Sequence, residues 1–420
     1  MPNRVRCATL GAGLGCSHRA PFLLSPFASM STVSTGANPV SDPVSSEVPL
    51  SEALAPASRG SFWRRHRVKT IASLVIALAF AITLRRGGLP LLPPSSVWKL
   101  VDFRWVGVHF GCLLVVHFLR ALRWRHLLRP IAPGIRRRTV LAASWVGFTA
   151  ILLLPLRAGE VVRPWLIRDG KRVTMSSALG TMGAERVIDG LIVTLVLAGA
   201  LGLVPRLSPL PDHVGNLKVP VAAIPAAGYV ALFVFVAAFG AMAVFYFARD
   251  FARRFTRATV GFVSPRLAEK LASIVEGIAE GLHFLAGPRY AIPFLLETFA
   301  YWAINACGMW ALGIACGLHM SFGHACAVMG VLAVGILVPA GPGLFGAFQV
   351  ATYGALAMYF SPELVTYQGS AYVFLLYAVQ FVWHLVAAAL AFMIDPTVWS
   401  RAEGDTSAEA TVLAPPSARA

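Results

Sequence analysis

Arg157, Glu160, Arg163, Glu185, Arg186 and Asp189 fall within one stretch, PLRAGEVVRPWLIRDGKRVTMSSALGTMGAERVID at 155–189, which interrupts long apolar runs. Guanidinium forks match phosphate and carboxylate oxygens two at a time, whereas carboxylates hold cations or clamp arginines. A charge at the centre of a bilayer costs about 3 kcal/mol or more, so such residues face protein, water or a polar ligand.

Each group of charges admits two readings. In RAGEVVRP, Glu160 and Arg163 are three apart and can pair on a helix, Gly159 permits close backbone approach, and Pro164 restricts the turn. They either contact an anionic substrate or form an ion pair that fastens a loop. In GAERVIDG, Glu185 and Asp189 are four apart on one helical face with Arg186 between them. They either meet a cationic headgroup or clamp Arg157 or Arg163, and the clamp is favoured because unpaired buried carboxylates protonate. An acid/base role is disfavoured, since no nucleophile, metal cluster or nucleotide loop accompanies them. In RALRWRHLLRP, Arg120, Arg123 and Trp124 occupy the end of an apolar run. They suit a lipid phosphate, or equally an interfacial anchor with snorkelling arginines and a belt tryptophan.

A fourth motif supplies backbone rather than side chains. PAGPGLFG carries Pro339, Gly341, Pro342, Gly343 and Gly346 in the middle of the apolar run 325–360, where proline removes a donor and glycine loosens the helix. Gln349 lies one turn beyond the break, and Glu297 and Asn305 interrupt the run 290–317. These three are candidates for the same cavity or for bonds between helices. The six cysteines and the scattered histidines lack ligand spacing, so no metal and no cofactor is expected.

The elements that position these groups follow from composition. With 57% hydrophobic and 13% charged residues in 420 and a mean hydropathy of +0.69, the chain is predicted to be an all-α, polytopic integral membrane bundle. The net charge of +17 fits cytoplasmic loops and anionic headgroups, and no reading head for nucleic acid is present. Apolar runs cover 70–84, 105–119, 139–156, 187–204, 219–248, 290–317, 325–360 and 364–394. If every run crossed the bilayer, the basic segments 157–172 and 249–289 would lie outside, against the bias of Lys and Arg toward the cytoplasm. The conflict disappears if the run around Pro155 enters, breaks at mid-depth and returns. ILLLPLRAGEVVRP and GILVPAGPGLFGAF then read as matching broken helices in two halves of opposite topology, an inverted repeat of the kind that places a transport site near the midplane. The expectation is about six full spans, two re-entrant broken helices and both termini cytoplasmic in the inner membrane. Residues 1–60, rich in Ser, Pro and Ala, are expected to be a disordered extension, with Met30 an alternative start, 61–395 the membrane domain, and 396–420 a disordered tail. The segment between Arg249 and Arg289 reads as amphipathic surface helices.

FLRALRWRHLL, LPLRAGEVVRP, AERVIDG and VPAGPGLFG occur in the order in which they occur in the lysylphosphatidylglycerol synthase transmembrane region, the flippase-like or UPF0104 family, which the chain resembles over 63–394. The resemblance implies a membrane module that moves a lipid across the bilayer. In the family's best-known members this module is fused to a soluble domain that transfers an amino acid from tRNA to a phospholipid. Only about 26 residues follow Ile394, so the expectation is the stand-alone module, without aminoacyl transfer and not an enzyme. Its partners would be membrane lipids, anionic or lipid-linked. The alternative is a non-catalytic membrane partner of a separate lipid-modifying or glycosyltransferase enzyme.

Overall fold

The computed structural model describes residues 60–154, 159–168, 173–218, 220–247, 281–338 and 341–397. Arg157, Pro339, the extension up to residue 59, the basic segment 248–280 and the tail from 398 lie outside the described residues. The regular structure of the described residues is helical apart from a short antiparallel hairpin, β1 His213–Val214 and β2 Leu217–Lys218. Its helices are α1 Gly60–Arg86, α2 Phe103–Leu122, α3 Trp124–Leu128, α4 Arg137–Leu153, α5 Val162–Ile167 and α6 Met175–Leu203. They continue with α7 Ala223–Phe247, α8 Pro288–Ala315, α9 Phe322–Gly335, α10 Ala347–Ala357, α11 Pro362–Thr366 and α12 Gln368–Ile394.

Four segments among the described residues are long and apolar enough to cross a membrane: Phe103–Leu128, Met175–Leu203, Ala223–Ala243 and Pro362–Ile394. The chain is thus an all-α, polytopic membrane protein. Local signals set the helix starts. Asp102 accepts from the Arg104 amide at 2.9 Å ahead of α2. Thr174 and Ser177 cap α6 reciprocally, and Ser321 and His324 do the same for α9. Proline occupies the first position of α8, where its missing N–H costs nothing.

Both breaks foreseen in the sequence form helical hairpins. After α4 the chain reverses, and Gly159 lies so close to α4 that a Cβ would sit 2.1 Å from the Ala150 carbonyl carbon. The second hairpin joins α9 to α10, with a Cβ on Gly335 falling 2.4 Å from that of Ala351. At 14 and 11 residues these arms rise about 21 and 16 Å, short of a hydrocarbon core about 30 Å thick. A 3-10 turn, Pro342–Leu344, and Gly346 at φ +91° form the second tip, which packs on α4 and on Phe80 of α1.

The helices pair in a repeating, inverted pattern. α2 runs antiparallel to α8, since the Asp102 amide donates to the Ala315 carbonyl at one end and Arg123 meets Thr298 near the other. α4 runs antiparallel to α12, through Thr139 with Asp395 and Thr149 with the His384 carbonyl. α6 runs antiparallel to α9, as Val204 covers Gly323 and Leu197 covers Gly330. Each half thus offers a helix, a hairpin and a long helix. The hairpin of either half packs on the long helix of the other.

Two apolar clusters fill the molecule. One lies around α3, α4, the start of α6 and the end of α12, and the other around the end of α6, the end of α8, α9 and the start of α12.

Candidate functional site

A cavity of about 490 Å³ opens between the two hairpins and borders both apolar clusters. One face of α2 lines it, with His109, His117 and Arg120 at helical spacing. From α6 come Arg186 and Asp189, from α8 Tyr301, Trp302 and Asn305, and from α12 Gln380. Glu160 reaches it from the first hairpin and Leu337 and Leu344 from the second.

Beside the cavity lies a buried ion network. Arg123, fully buried, donates from its two terminal nitrogens to the two oxygens of Asp189, each at 2.6 Å. The same guanidinium reaches Glu185 Oε1 at 3.0 Å and Thr298 Oγ1 at 3.0 Å. Glu185 also holds Arg163, whose Nη1 lies 3.0 Å from Oε2. Trp124 lies under the Arg163 guanidinium at 4.1 Å and donates from its indole nitrogen to Thr181 at 3.0 Å. Five helical segments, α2, α3, α5, α6 and α8, are tied together in this way.

The two acids of AERVIDG therefore clamp arginines. Arg163 is one of the two arginines named for that role, with Arg157; the second arginine held by these acids is Arg123, which was considered for a phosphate. The interfacial alternative for Arg123 and Trp124 is corrected, because both are fully buried. The spacing of Glu160 and Arg163 does not govern their pairing either: Arg163 turns to Glu185, and Glu160, in a 3-10 turn before α5, faces the cavity.

Arg120 and Arg186 differ from this pair. Neither side chain has an ion pair among the described residues, whereas unpartnered buried N–H groups occur on all four: Arg120 Nε, Arg186 Nε and Nη2, Arg123 Nε, and Arg163 Nε and Nη2. Arg120 rests over the Phe148 ring at 4.2 Å. A buried donor left unpaired costs about 1–3 kcal/mol, more when charged, so these two fit a cavity that admits an anion or water.

Gly341, Pro342, Gly343 and Gly346 shape the second tip rather than line the cavity. Gly343 has φ +74°, and Gly341 presses against Ala77 of α1. Gln349 caps its own helix by accepting from the Gly346 amide at 2.7 Å. Glu297 turns away to His126 and Arg125, at 3.0 and 3.4 Å. Asn305 does line the cavity, as considered from the sequence, whereas His109, His117, Tyr301 and Gln380 were not singled out as site residues. The first two had a signal: with Arg120 they form a polar stripe along one face of an apolar helix. Among the described residues no three His, Cys, Asp or Glu side chains group to hold a metal.

A second space, an apolar groove of about 300 Å³, lies behind the second hairpin between α1, α6, α7 and α9. Phe80, Ala227 and Ala351 line it, and Val334 borders both groove and cavity.

Comparison with known proteins fits this architecture. The chain is similar to the protein named glycosyltransferase AglD of Haloferax volcanii, at 28% identity over 249 residues, which cover 56% of this chain and 40% of that relative. This chain therefore corresponds to less than half of the relative's length. No solved structure matches it. A family profile covers residues 70–388, from α1 almost to the end of α12 and including both hairpins. The chain is a multi-pass, lipid-related membrane protein that belongs to the family of the lysylphosphatidylglycerol synthase TM region.

Proposed function

We propose that the protein moves a lipid with an anionic headgroup between the leaflets of the cell membrane. The headgroup enters the cavity between the hairpins and the chain lies in the apolar groove. The observation that carries this reading is the pair Arg120 and Arg186, which line the cavity between the two broken helices with no ion-pair partner among the described residues. Guanidinium groups attract phosphate oxygens strongly, and a broken helix at membrane depth is tolerated where it lines such a cavity. Val334, shared by cavity and groove, supports a lipid that straddles the second tip with its polar and apolar ends in different spaces. The inverted pairing of the helices supports alternating access, since two halves of opposite direction can rock about one central site.

In this reading the face that carries Arg125, Arg129, Arg136, Arg137 and Arg138 is cytoplasmic, as the bias of basic residues requires. The glycine-rich tips and the ion network then have separate duties: the network holds the helices, and the tips move.

The test is translocation of headgroup-labelled anionic phospholipid in proteoliposomes, read with an impermeant quencher, for the native chain beside Arg120→Ala and Arg186→Ala. Transport lost in both variants while the proteins insert normally supports the reading; transport unchanged in both removes it.

The name of the Haloferax relative, a glycosyltransferase, favours a second reading. The module would hold a lipid-linked substrate for a glycosyltransferase without moving it. Co-purification with such an enzyme, together with no translocation of any lipid, would select this reading.

A further inference from the structure

We infer that His117 and His384 form a proton site beside the cavity, and that a proton on this pair and an anion in the cavity bind cooperatively. The inference rests on the proposed entry of an anion into the cavity and specifies no headgroup.

The two imidazoles belong to opposite halves of the inverted pairing, His117 to α2 and His384 to α12, and both are buried. Their ring centroids lie 4.5 Å apart and their planes cross at 83°. His384 Nδ1 stands 2.7 Å from the Gln380 carbonyl. A carbonyl only accepts, so Nδ1 carries the hydrogen and Nε2 keeps its lone pair. His117 Nε2 is buried with no hydrogen-bond partner among the described residues, and His117 lines the cavity. Two touching imidazoles can therefore take one proton between them, and His117 is the side that meets the cavity.

One turn along α2, Arg120 lines the same cavity. A proton on the pair and the Arg120 guanidinium are like charges, and buried charges are screened little. Neither imidazole has an ion pair with a carboxylate among the described residues. The other charged or titratable groups that face the pair line the cavity: Arg186 and Asp189 of α6, Tyr301 of α8, Glu160 of the first hairpin and His109 two turns earlier on α2. Of the two acids, Asp189 accepts from Arg123 with both oxygens, and Glu160 has an interaction of its own within the chain. From α4 the Phe148 ring meets His117 edge-on, and the Thr149 hydroxyl donates to the His384 carbonyl. An anion set against Arg120 and His117 attracts both cations, so it favours the proton, and by reciprocity the proton favours the anion. The loaded site then carries no more net charge than the empty one, which limits the cost of moving it through hydrocarbon.

The experiment is equilibrium binding of dioctanoyl phosphatidylglycerol to the full chain in phosphatidylcholine nanodiscs, from about pH 8 to 5, where histidine titrates and the phosphodiester keeps its charge. The dissociation constant should fall by up to about tenfold for each unit by which the pH falls, as one proton bound with the lipid requires. In His117→Gln, and in His384→Asn, whose amide can still donate to the Gln380 carbonyl, it should change by less than about twofold over the whole range. Thermal unfolding in detergent reports whether each variant folds. Should neither fold, ring-nitrogen NMR of the histidine-labelled native chain takes their place, and a histidine should gain a proton when lipid is added. A flat native profile, a folded variant as steep as the native chain, or no histidine gaining a proton overturns the inference and leaves anion binding standing. No binding at any pH overturns both. Steep binding without translocation in proteoliposomes overturns the transport reading alone.

Discussion

Arg123 at the C-cap of α2 and Asp189 on α6 share two parallel hydrogen bonds of 2.6 Å, in a place where the arginine has no exposed surface. Residues 66 positions apart are thus held with the bidentate geometry that makes Arg and a carboxylate the strongest of side-chain pairs. Glu185 extends the pair to Arg163, so two acids neutralise two bases. Removing one member leaves a buried charge, so the network should act on stability.

Asp189→Asn and Arg123→Ala should each destabilise the protein by about 3–5 kcal/mol, the usual cost of breaking a buried ion pair from one side. Thermal unfolding in detergent reads this directly. A variant as stable as the native chain would mean that the network is not structural.

Arg120→Ala and Arg186→Ala should behave in the opposite way. Neither residue has an ion-pair partner among the described residues to strand, so unfolding should change little. Binding of anionic lipid should weaken about 10- to 100-fold, the worth of one charge-assisted hydrogen bond of ~1.5–3 kcal/mol. Lipid titration into nanodiscs checks it.

Gly346→Ala should damage the second tip. Its φ of +91° disfavours any side chain, and the added Cβ would lie 2.1 Å from the Phe80 ring. A cost of about 1–3 kcal/mol is expected from strain and overpacking. Phe80→Ala combined with Gly346→Ala should recover part of it, since the clash is then gone and only the backbone strain is left. A double-mutant cycle on unfolding measures the recovery.

Ala227→Trp should fill the apolar groove behind the second hairpin, where Ala227 faces Ala351 and Val334 in the lining. Transport of long-chain lipid should fall while the cavity still binds a short-chain lipid with the same headgroup. Equal loss for both chain lengths would count against a chain in the groove.

Cysteine introduced at Gly134, exposed with open space around it, and at Asp212, exposed beside the β hairpin, should label from opposite sides of the membrane in a background lacking the native cysteines. An impermeant maleimide added to intact cells should reach position 212 alone. Labelling at 134 from outside would invert the orientation proposed from the arginines.

The two breaks were legible because proline and glycine act locally: a missing donor or a missing Cβ disturbs a helix wherever the helix packs. Helix starts at Asp102, Thr174 and Ser321 were open to reading for the same reason, since a cap bonds within three residues. The pairing of Glu185 and Asp189 with arginines followed from the cost of a lone buried charge, but their partners did not. The i, i+3 spacing of Glu160 and Arg163 suggested a local pair, whereas a turn before α5 separates them and Arg163 crosses to α6.

What the sequence by itself determined is the class of the protein: membrane helices from hydropathy, two breaks from proline and glycine, and charges that must be partnered or functional. The choice between those two fates lay with the tertiary structure. Arg120, Arg123, Arg163 and Arg186 are the same residue type in similarly apolar surroundings. Nothing within a few positions of each one in the chain tells which will meet a carboxylate. That depends on the end of α2, α5 and α6 converging over distances of 22 to 66 residues. Buried ion pairing is a long-range electrostatic match, and it exists only once the helices have packed.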